Sequence, residues 1–464
     1  MTPYEVLTHL SDKVIPAALT DQQKPIDNIR TRTFFIVDNC LDETTLKNAL
    51  DSLIRHHWRK LGARLVNRSS DGLLEYRLPH KFDDDYLLFK WSSTEFNHPI
   101  DECPELKLFH HPPPAEDGVA ILDPVSEIEK VVRPDSWPLE RKDEPPDAPM
   151  LYIHLSLFTD ATVIATSVPH PLCDQFGLSN IMRAWLGLTR GETPTPMVGY
   201  NQDVLATGKE YNDYPSAETA RKGKVRLFLP LEYWLVVLYF IPEVIIHPKE
   251  ESSIIFFPRP CLQRLRERYT ADLTEKYDLN PGLSNNDIIF GVLTKLARMH
   301  DPWARTMTLT QNMNRKFPLL ILLILVLLRG RVPQLSSDEQ KLGFLHNALY
   351  PGTARIRVNS STPASDIAYL SRQIINEATE PDSKGIEIGM AVTREKVRRG
   401  QPTHVCEPFD RSYGTTNWCA AWRGLDLSCG TGTARSSTGS IADGGSSKML
   451  ILGQSKETKA PGRC

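Results

Sequence analysis

The chain has 464 residues, a net charge of −3 and a hydrophobic fraction of 41%. That length exceeds one ordinary core and predicts two or three domains. The charged fraction of 24% is near the globular average, which argues against a disordered chain or a coiled coil. Nucleic-acid binding usually needs a basic face, and neither the net charge nor any Lys/Arg stripe supports one.

The eight cysteines are scattered along the chain, and none forms a CxxC pair. We therefore expect no zinc site of regular spacing, and no metal site is predicted. Scattered cysteines in a long chain favour reduced thiols and a cytosolic location. The start, MTPYEVLTHLSDKVIPAAL, lacks a basic head followed by an apolar core, so no signal peptide is predicted.

The first part of the chain alternates strand and helix patterns. Its residues predict a strand at 31–39 and an amphipathic helix at 41–54. Within 56–79 the sequence SSDG predicts a turn between two strands. Residues 98–149 are rich in proline and charge, which is typical of a surface loop.

A hairpin and a helix follow. The β-branched runs 150–158 and 161–169 are joined by two residues, which predicts a β-hairpin. Residues 178–188 have helical spacing, and 191–250 is interpreted as a crossover linker. The apolar stretch 227–247 in that linker holds two prolines and two carboxylates, which make a poor membrane span. We prefer a buried strand or helix there, with a monotopic membrane contact as the alternative.

The second half also mixes strands and helices. The patterns predict a strand at 252–260 and helices at 260–273 and 280–300. A strand-like apolar run follows at 319–328, a strand with a turn at 346–358 and a further helix at 363–378. Ser284 or Asn285 is the expected cap of the second helix, with Asp287 after it, and Ser365 that of the last. The apolar run has about half the length of a membrane span, so a buried element is favoured.

The hairpin ends in VPHPLCDQFG, which carries a histidine and an aspartate into a bend. His170 stands at the carboxyl end of a strand, where active sites often collect. A histidine can take a proton from a hydroxyl near pH 7. Asp174 could orient the imidazole as in a triad, or hold the bend by pairing with a distant arginine. Gly177 would permit a positive φ where the bend enters the helix.

Other sequence motifs give weaker evidence for a catalytic or binding site. The chain contains no G-x-S-x-G, no G-x-G-x-x-G after a strand and no Walker loop, so a nucleophile elbow or a nucleotide cradle is unsupported. Cys173 is disfavoured as a nucleophile because a catalytic thiol needs an electropositive, accessible pocket. The pairs His56–His57 and His110–His111 are interpreted as structural and solvated, respectively.

The segment LYIHLSLFTDATVIATSVPHPLCDQFGLSNIMRAW resembles the His-x-x-x-Asp region of BAHD-type, CoA-dependent acyltransferases. It is most similar to that of fungal secondary-metabolite O-acyltransferases such as the trichothecene 3-O-acetyltransferases. Further segments resemble other motifs of the family in the same order: LSNNDIIFGVLTKLAR, LLRGRVPQL, LGFLHNALYP and TTNWCAAWRGLDLSCG. The glycine that usually follows the aspartate comes later here, at Gly177, and Gln175 takes its usual place.

The resemblance implies an α/β fold of two chloramphenicol-acetyltransferase-like domains. Each domain would be a mixed sheet with helices, and an active-site channel would lie between them. The N-terminal domain with the His-x-x-x-Asp motif is expected at 1–200, the crossover linker at 201–250 and the C-terminal domain at 251–430. Residues 431–464 form an atypical tail that could be disordered.

The resemblance also implies a chemistry. His170 would deprotonate the acceptor hydroxyl, which then attacks the thioester carbonyl of acyl-CoA in a ternary complex. Thr416 and Trp418 would line the acyl-CoA site or help to bind the oxyanion, with core packing as the alternative. The implied partners are acyl-CoA, in the simplest case acetyl-CoA, and a small hydroxylated metabolite. No permanently bound cofactor, no nucleic acid, no membrane span and a monomeric chain are expected.

The resemblance also implies structural residues. Asp174 would pair with an arginine, for which Arg329 and Arg331 are the candidates. Asp426 stands in the place of the aspartate of the family's D-F-G-W-G motif, and Gly177 shapes the bend.

Two alternatives stay open. Only DLSCG remains of D-F-G-W-G, and the tail lacks an amphipathic pattern. The chain could therefore be a degenerate or truncated relative that only binds ligand. A condensation-type module shares the fold and the histidine motif, but such modules usually have a doubled histidine, and here Pro169 precedes His170.

Overall fold

The computed structural model describes residues 13–110, 119–122, 125–206, 209–246, 254–297, 305–314, 341–379, 384–403, 407–419, 421–422, 424–429 and 449–452. The strands among them are β1 Lys13–Pro16, β2 Arg30–Val37, β3 Arg64–Asn67, β4 Leu74–Leu78, β5 Lys90–Glu95, β6 Ala120–Leu122, β7 Tyr152–Leu157, β8 Thr162–Pro169, β9 Ile254–Phe256, β10 Arg305–Asn314, β11 Leu349–Val358, β12 Arg411–Thr416 and β13 Met449–Leu452. The helices are α1 Glu43–Ser52, α2 Pro104–His110, α3 Val125–Val132, α4 Gln175–Thr189, α5 Ser216–Thr219, α6 Pro230–Ile246, α7 Arg259–Tyr277, α8 Asn285–Leu296, α9 Ala364–Thr379 and α10 Gly385–Arg398.

A five-stranded sheet has the order β13-β2-β8-β7-β5, and four of its strands come from the first half of the chain. The predicted hairpin is confirmed, because β7 and β8 pair antiparallel. Every residue of β8 is buried, since both faces of the sheet are covered. Ile164 packs into a core that contains residues of α1 and α4, whereas Val163 packs into one that contains residues of α3.

A second sheet, in the order β11-β10-β12, organises the second half. Strand β10 pairs antiparallel with β11 and parallel with β12. Phe290 of α8 and Ile367 of α9 pack against Met307 and Leu309 of β10, so helices cover one face of this sheet. Two small antiparallel sheets, β1-β4-β3 and β6-β9, complete the described topology. The boundaries proposed for the domains stay a prediction.

Several predicted elements differ from the structure. The segment 98–149 is more than a loop, because α2, β6 and α3 lie in it. Its spacing is helical at Val125, Ile128 and Val132, which are buried against the five-stranded sheet, but the surrounding prolines conceal this. Ser365 lies inside α9 and is not its cap. The apolar run 319–328 lies outside the described residues.

The cap of α8 is confirmed at Ser284. Its side chain accepts a hydrogen bond from the Asp287 N–H, and the Asp287 carboxylate accepts one from the Ser284 N–H, which forms a capping box. Helix α10 is missing from the prediction because Thr393, Arg394 and Lys396 are polar yet buried. A hydrophobic pattern therefore does not reveal its inner face.

Gly177 was predicted to permit a positive φ, and this reason is wrong. Gly177 is a helical residue of α4 and is not among the residues with positive φ. A Cβ at this position would instead overlap the carbonyl oxygen of Leu345 and approach the Cβ of Cys173. Glycine is therefore required because the backbone of the second half passes directly over the first turn of α4.

Gly177→Ala should destabilise the protein by about 1–3 kcal/mol, since the clashing atom belongs to the backbone and cannot rotate away. Gly187→Ala is the matched control on the same helix. Its Cβ would meet only the flexible Glu192 carboxylate, at 2.8 Å, so we expect no loss or a gain of up to about 1 kcal/mol. Urea unfolding of both variants measures this difference, and equal stabilities would contradict the packing argument.

Candidate active site

His170 follows directly on β8, and hydrogen bonds to both halves of the molecule hold its backbone. Its N–H donates to the Ile29 carbonyl at 2.8 Å. Its own carbonyl accepts from Nδ2 of Asn347 at 2.9 Å. The strand end is thus fixed by a neighbour in the first half and by a side chain from the second half.

The imidazole of His170 lies in a poorly solvated environment. Its Nδ1 is buried and makes no hydrogen bond to a described residue. Burial lowers the pKa of His170 below the ordinary value, although its own backbone, Asp174, Asp21 and Asn347 oppose the shift. The residue as a whole keeps some exposed surface and lines a cavity, so Nε2 is the ring nitrogen left to meet a ligand. A neutral imidazole with a free Nε2 can act as a base.

Asp174 is turned towards backbone N–H groups. It caps α4, with Oδ1 accepting from the Gly177 N–H at 2.9 Å, and Oδ2 accepts from the Ala348 N–H at 3.2 Å. Because Nδ1 of His170 makes no hydrogen bond to a described residue, no direct bond from Asp174 orients the ring as in a triad. Arg329 and Arg331, its predicted partners, lie outside the described residues.

Asn347 and Asp21 are two site residues to which sequence reasoning gave no role. Oδ1 of Asp21 accepts from both the backbone N–H and Nδ2 of Asn347, each at 2.8 Å. Asn347 in turn holds the His170 carbonyl, and its buried Oδ1 makes no hydrogen bond to a described residue. Asn347 stands in the quoted segment LGFLHNALYP, but Asp21, which is 326 residues away, carries no local signal.

A cluster of buried charged groups surrounds Asp21. Its Oδ2 lies 2.6 Å from Nδ1 of His346, whose Nε2 lies 2.9 Å from the Gly199 carbonyl. Burial lowers the pKa of Lys60, whose Nζ is 3.4 Å from the same Nε2, to about 8. Burial raises the pKa of the Asp203 carboxyl, which Asp21 also raises. These mutual contacts fix the Asp21 carboxylate in one position beneath the site.

A cavity of about 280 Å³ brings three of the predicted site residues together with the base. His170 and Asp174 lie on the side of the first half. Thr416 and Trp418 lie on the wall that the second half provides. The other residues at this cavity are Gln23, Pro25, Ile26, Ile29, Gln175, Phe176, Thr310, Leu349, Pro351, Thr403 and Gly414.

The two residues of the far wall differ in their surroundings. Thr416 ends β12 and is exposed, so its hydroxyl is available to a ligand. Trp418 is half-buried and packs against the main core of the first half. Asp426 is not at the cavity. Its Oδ1 accepts from the Ser428 N–H at 2.9 Å, and its Oδ2 lies 3.9 Å from Arg190.

The described part of the chain contains neither a candidate metal site nor a candidate transmembrane helix. There, no group of three or more His, Cys, Asp and Glu side chains could hold a metal ion. Of the described helices, none combines the length and the hydropathy that a bilayer crossing requires.

No protein-family model matches the chain, but curated fungal proteins are similar to it. Transcriptional regulator calD of Penicillium decumbens is 28% identical over 321 residues, which are 67% of this chain and 62% of calD. Acetyltransferase sphE of Aspergillus fumigatus is 29% identical over 308 residues, which are 62% of this chain and 58% of sphE. The chain thus spans about three fifths of the length of these relatives.

A solved structure covers nearly the whole chain. F. graminearum TRI101, crystallised with coenzyme A and deoxynivalenol, aligns with a TM-score of 0.59 over 89% of this chain and 86% of that one, at 10% identity. The two chains share one fold. The predicted two-part α/β architecture is therefore confirmed, and the relatives named acetyltransferase confirm the resemblance to fungal O-acyltransferases.

Asp174→Asn should lower the free energy of unfolding by about 1–3 kcal/mol. Each carboxylate oxygen of Asp174 accepts a hydrogen bond from a backbone N–H. An asparagine keeps one oxygen acceptor but places its NH₂ group opposite the other N–H, so that two donors meet. Asp42→Asn is the matched control. Asp42 caps α1 at the surface through one bond from the Thr45 N–H, and asparagine caps helices as well as aspartate does. Urea titration of both variants measures the difference. A loss at Asp42 equal to that at Asp174 would contradict the double acceptor role.

Proposed function

We propose that this protein transfers an acyl group, most simply acetyl, from acyl-CoA to a hydroxyl of a secondary metabolite. The observation that carries the proposal is the cavity in which a neutral His170 faces Thr416 and Trp418 across the two halves of the fold. Two findings support it: the relatives named acetyltransferase, and the crystallisation of TRI101 with coenzyme A and a toxin.

In the proposed reaction, Nε2 of His170 removes the proton of the acceptor hydroxyl as its oxygen attacks the thioester carbonyl. The tetrahedral oxyanion then collapses, and the C–S bond breaks. The proton on His170 passes to the departing CoA thiolate, so that the base is regenerated without a covalent acyl-enzyme. The Thr416 hydroxyl could donate to the oxyanion.

We further propose that Asn347 and Asp21 are positioning residues. They act on His170 through its carbonyl, which the Asn347 side chain binds while Asp21 holds that side chain. Asp174 would fix the start of α4, directly after the bend. Substrate positioning depends on the strand end staying in one place, since displacements of about 1 Å can cost about 100-fold in rate.

The size of the cavity bears on the substrates. The volume of about 280 Å³ is near the lower end of ligand pockets, which favours a short acyl group. We infer an acceptor of terpenoid or polyketide type. The free thiols of Cys103 and Cys261 support the proposed cytosolic location.

A ligand-binding relative without activity is the second candidate. Two relatives are named transcriptional regulators, calD and sdnM, and Asp426 of the DLSCG segment is largely exposed. Such a protein would show a thermal shift with CoA but no turnover with any alcohol.

His170→Ala should lower kcat by about 10²–10⁴-fold, which is the usual contribution of a general base. The assay uses acetyl-CoA with a panel of hydroxylated terpenoids and polyketides, and mass detection of the esters. The matched control is His57→Ala, which removes an exposed histidine that does not line the cavity. Turnover that survives His170→Ala at the wild-type rate, with the fold intact, would rule out the assigned role.

The pH dependence of kcat/KM should follow the lowered pKa of His170. The base works only when it is unprotonated, so activity should be constant around pH 7 and fall in acid, below the ordinary histidine value of about 6.5. Initial rates between pH 5 and 8 in a buffer of constant ionic strength measure the profile. A midpoint above pH 7 would contradict a desolvated imidazole.

A further inference from the structure

Helix α6 carries an apolar stripe on its outer surface. The side chains of Leu231, Trp234, Leu238, Ile241 and Ile245 are 71%, 60%, 57%, 42% and 72% exposed. At 100° per residue they fall within an arc of about 80°. The stripe therefore presents one large apolar side chain per turn to its surroundings, over about 21 Å of helix.

Among the described side chains of α6, no charged group lies on this stripe. Glu232, on another face of α6, is directed inwards and pairs with Arg226, which also binds Glu407. The opposite side of the helix is attached to the molecule, for example through Tyr239, which packs on Phe409. A contiguous apolar patch of this kind marks an interaction surface rather than a random exposed residue.

Cationic and aromatic groups surround the first turns of α6. A cavity of about 750 Å³ there is lined by Tyr233 and Trp234 together with Lys222 and Arg399. Both cations are exposed. Arg399 is bound by Glu395, whereas Lys222 makes no ion pair within the described ranges. Aromatic side chains beside cations are typical of groups that lie at the boundary between lipid headgroups and acyl chains.

We propose that α6 docks this protein on an anionic membrane surface, with the stripe embedded among the upper acyl chains. Helices of this kind lie in the plane of the interface and bury their apolar face by about 5–10 Å. Lys222 and Arg399 would then contact anionic headgroups, for which their charge is complementary. We prefer a bilayer to a second copy of the chain because both cations lie at the end of the stripe that carries Trp234.

The test uses the full chain and vesicles of phosphatidylcholine, with or without about one third phosphatidylserine, in a flotation assay. The protein should float with the vesicles, and more so with the anionic ones. The double variant L231Q/L238Q should lower the partition coefficient at least tenfold, because it removes two embedded side chains. Lys222→Gln with Arg399→Gln should weaken binding to the anionic vesicles alone.

The matched control is L87Q/L296Q, which changes two leucines exposed to a similar extent elsewhere and should bind as the wild type does. Acyl transfer in solution should be unaffected by L231Q/L238Q, since neither residue lines the cavity at His170. Absence of vesicle binding overturns the proposal, as does an equal loss in L87Q/L296Q. A dimer in light scattering that L231Q/L238Q dissociates, without vesicle binding, would assign the stripe to a second copy instead.

Discussion

The buried carboxylate of Asp21 is the contact on which the arrangement of the site depends. It accepts hydrogen bonds from Asn347 through one oxygen and contacts His346 through the other. A fully buried carboxylate is costly unless such partners surround it. The start of the chain is therefore bound to a segment more than 300 residues away, and through Asn347 to the backbone of His170. Removing either partner would leave a charge or an amide unsatisfied below the base.

His170 and Asp174 have different roles at the site because their surroundings differ. His170 is desolvated, which keeps its imidazole neutral. Asp174 lies nearby, and its carboxylate oxygens accept hydrogen bonds from the N–H groups of Gly177 and Ala348. Its charge stabilises a helix start and raises the pKa of His170 only as a smaller effect. The same His-x-x-x-Asp spacing thus supplies one chemical group and one structural group.

Local patterns predicted much of the fold but less of the site. The hairpin before His170 and the cap at Ser284 follow from period-two alternation and from capping chemistry, which act over a few residues. Thr416 and Trp418 reach the cavity through pairing of β10 with β12, and only the family resemblance pointed to them. Asp21 could not be found, because its partners come from tertiary packing. Gly177 was singled out for a local reason, although the constraint comes from the carbonyl of Leu345.

The cavity is assembled from two sheets with separate cores. One sheet delivers His170 at the end of β8, and the other delivers Thr416 at the end of β12. Leu349 and Pro351, on β11, line the cavity directly after Asn347 and Ala348, which bind His170 and Asp174. A change of substrate shape made on β11 would therefore also act on the backbone that holds the base, which couples selectivity to rate.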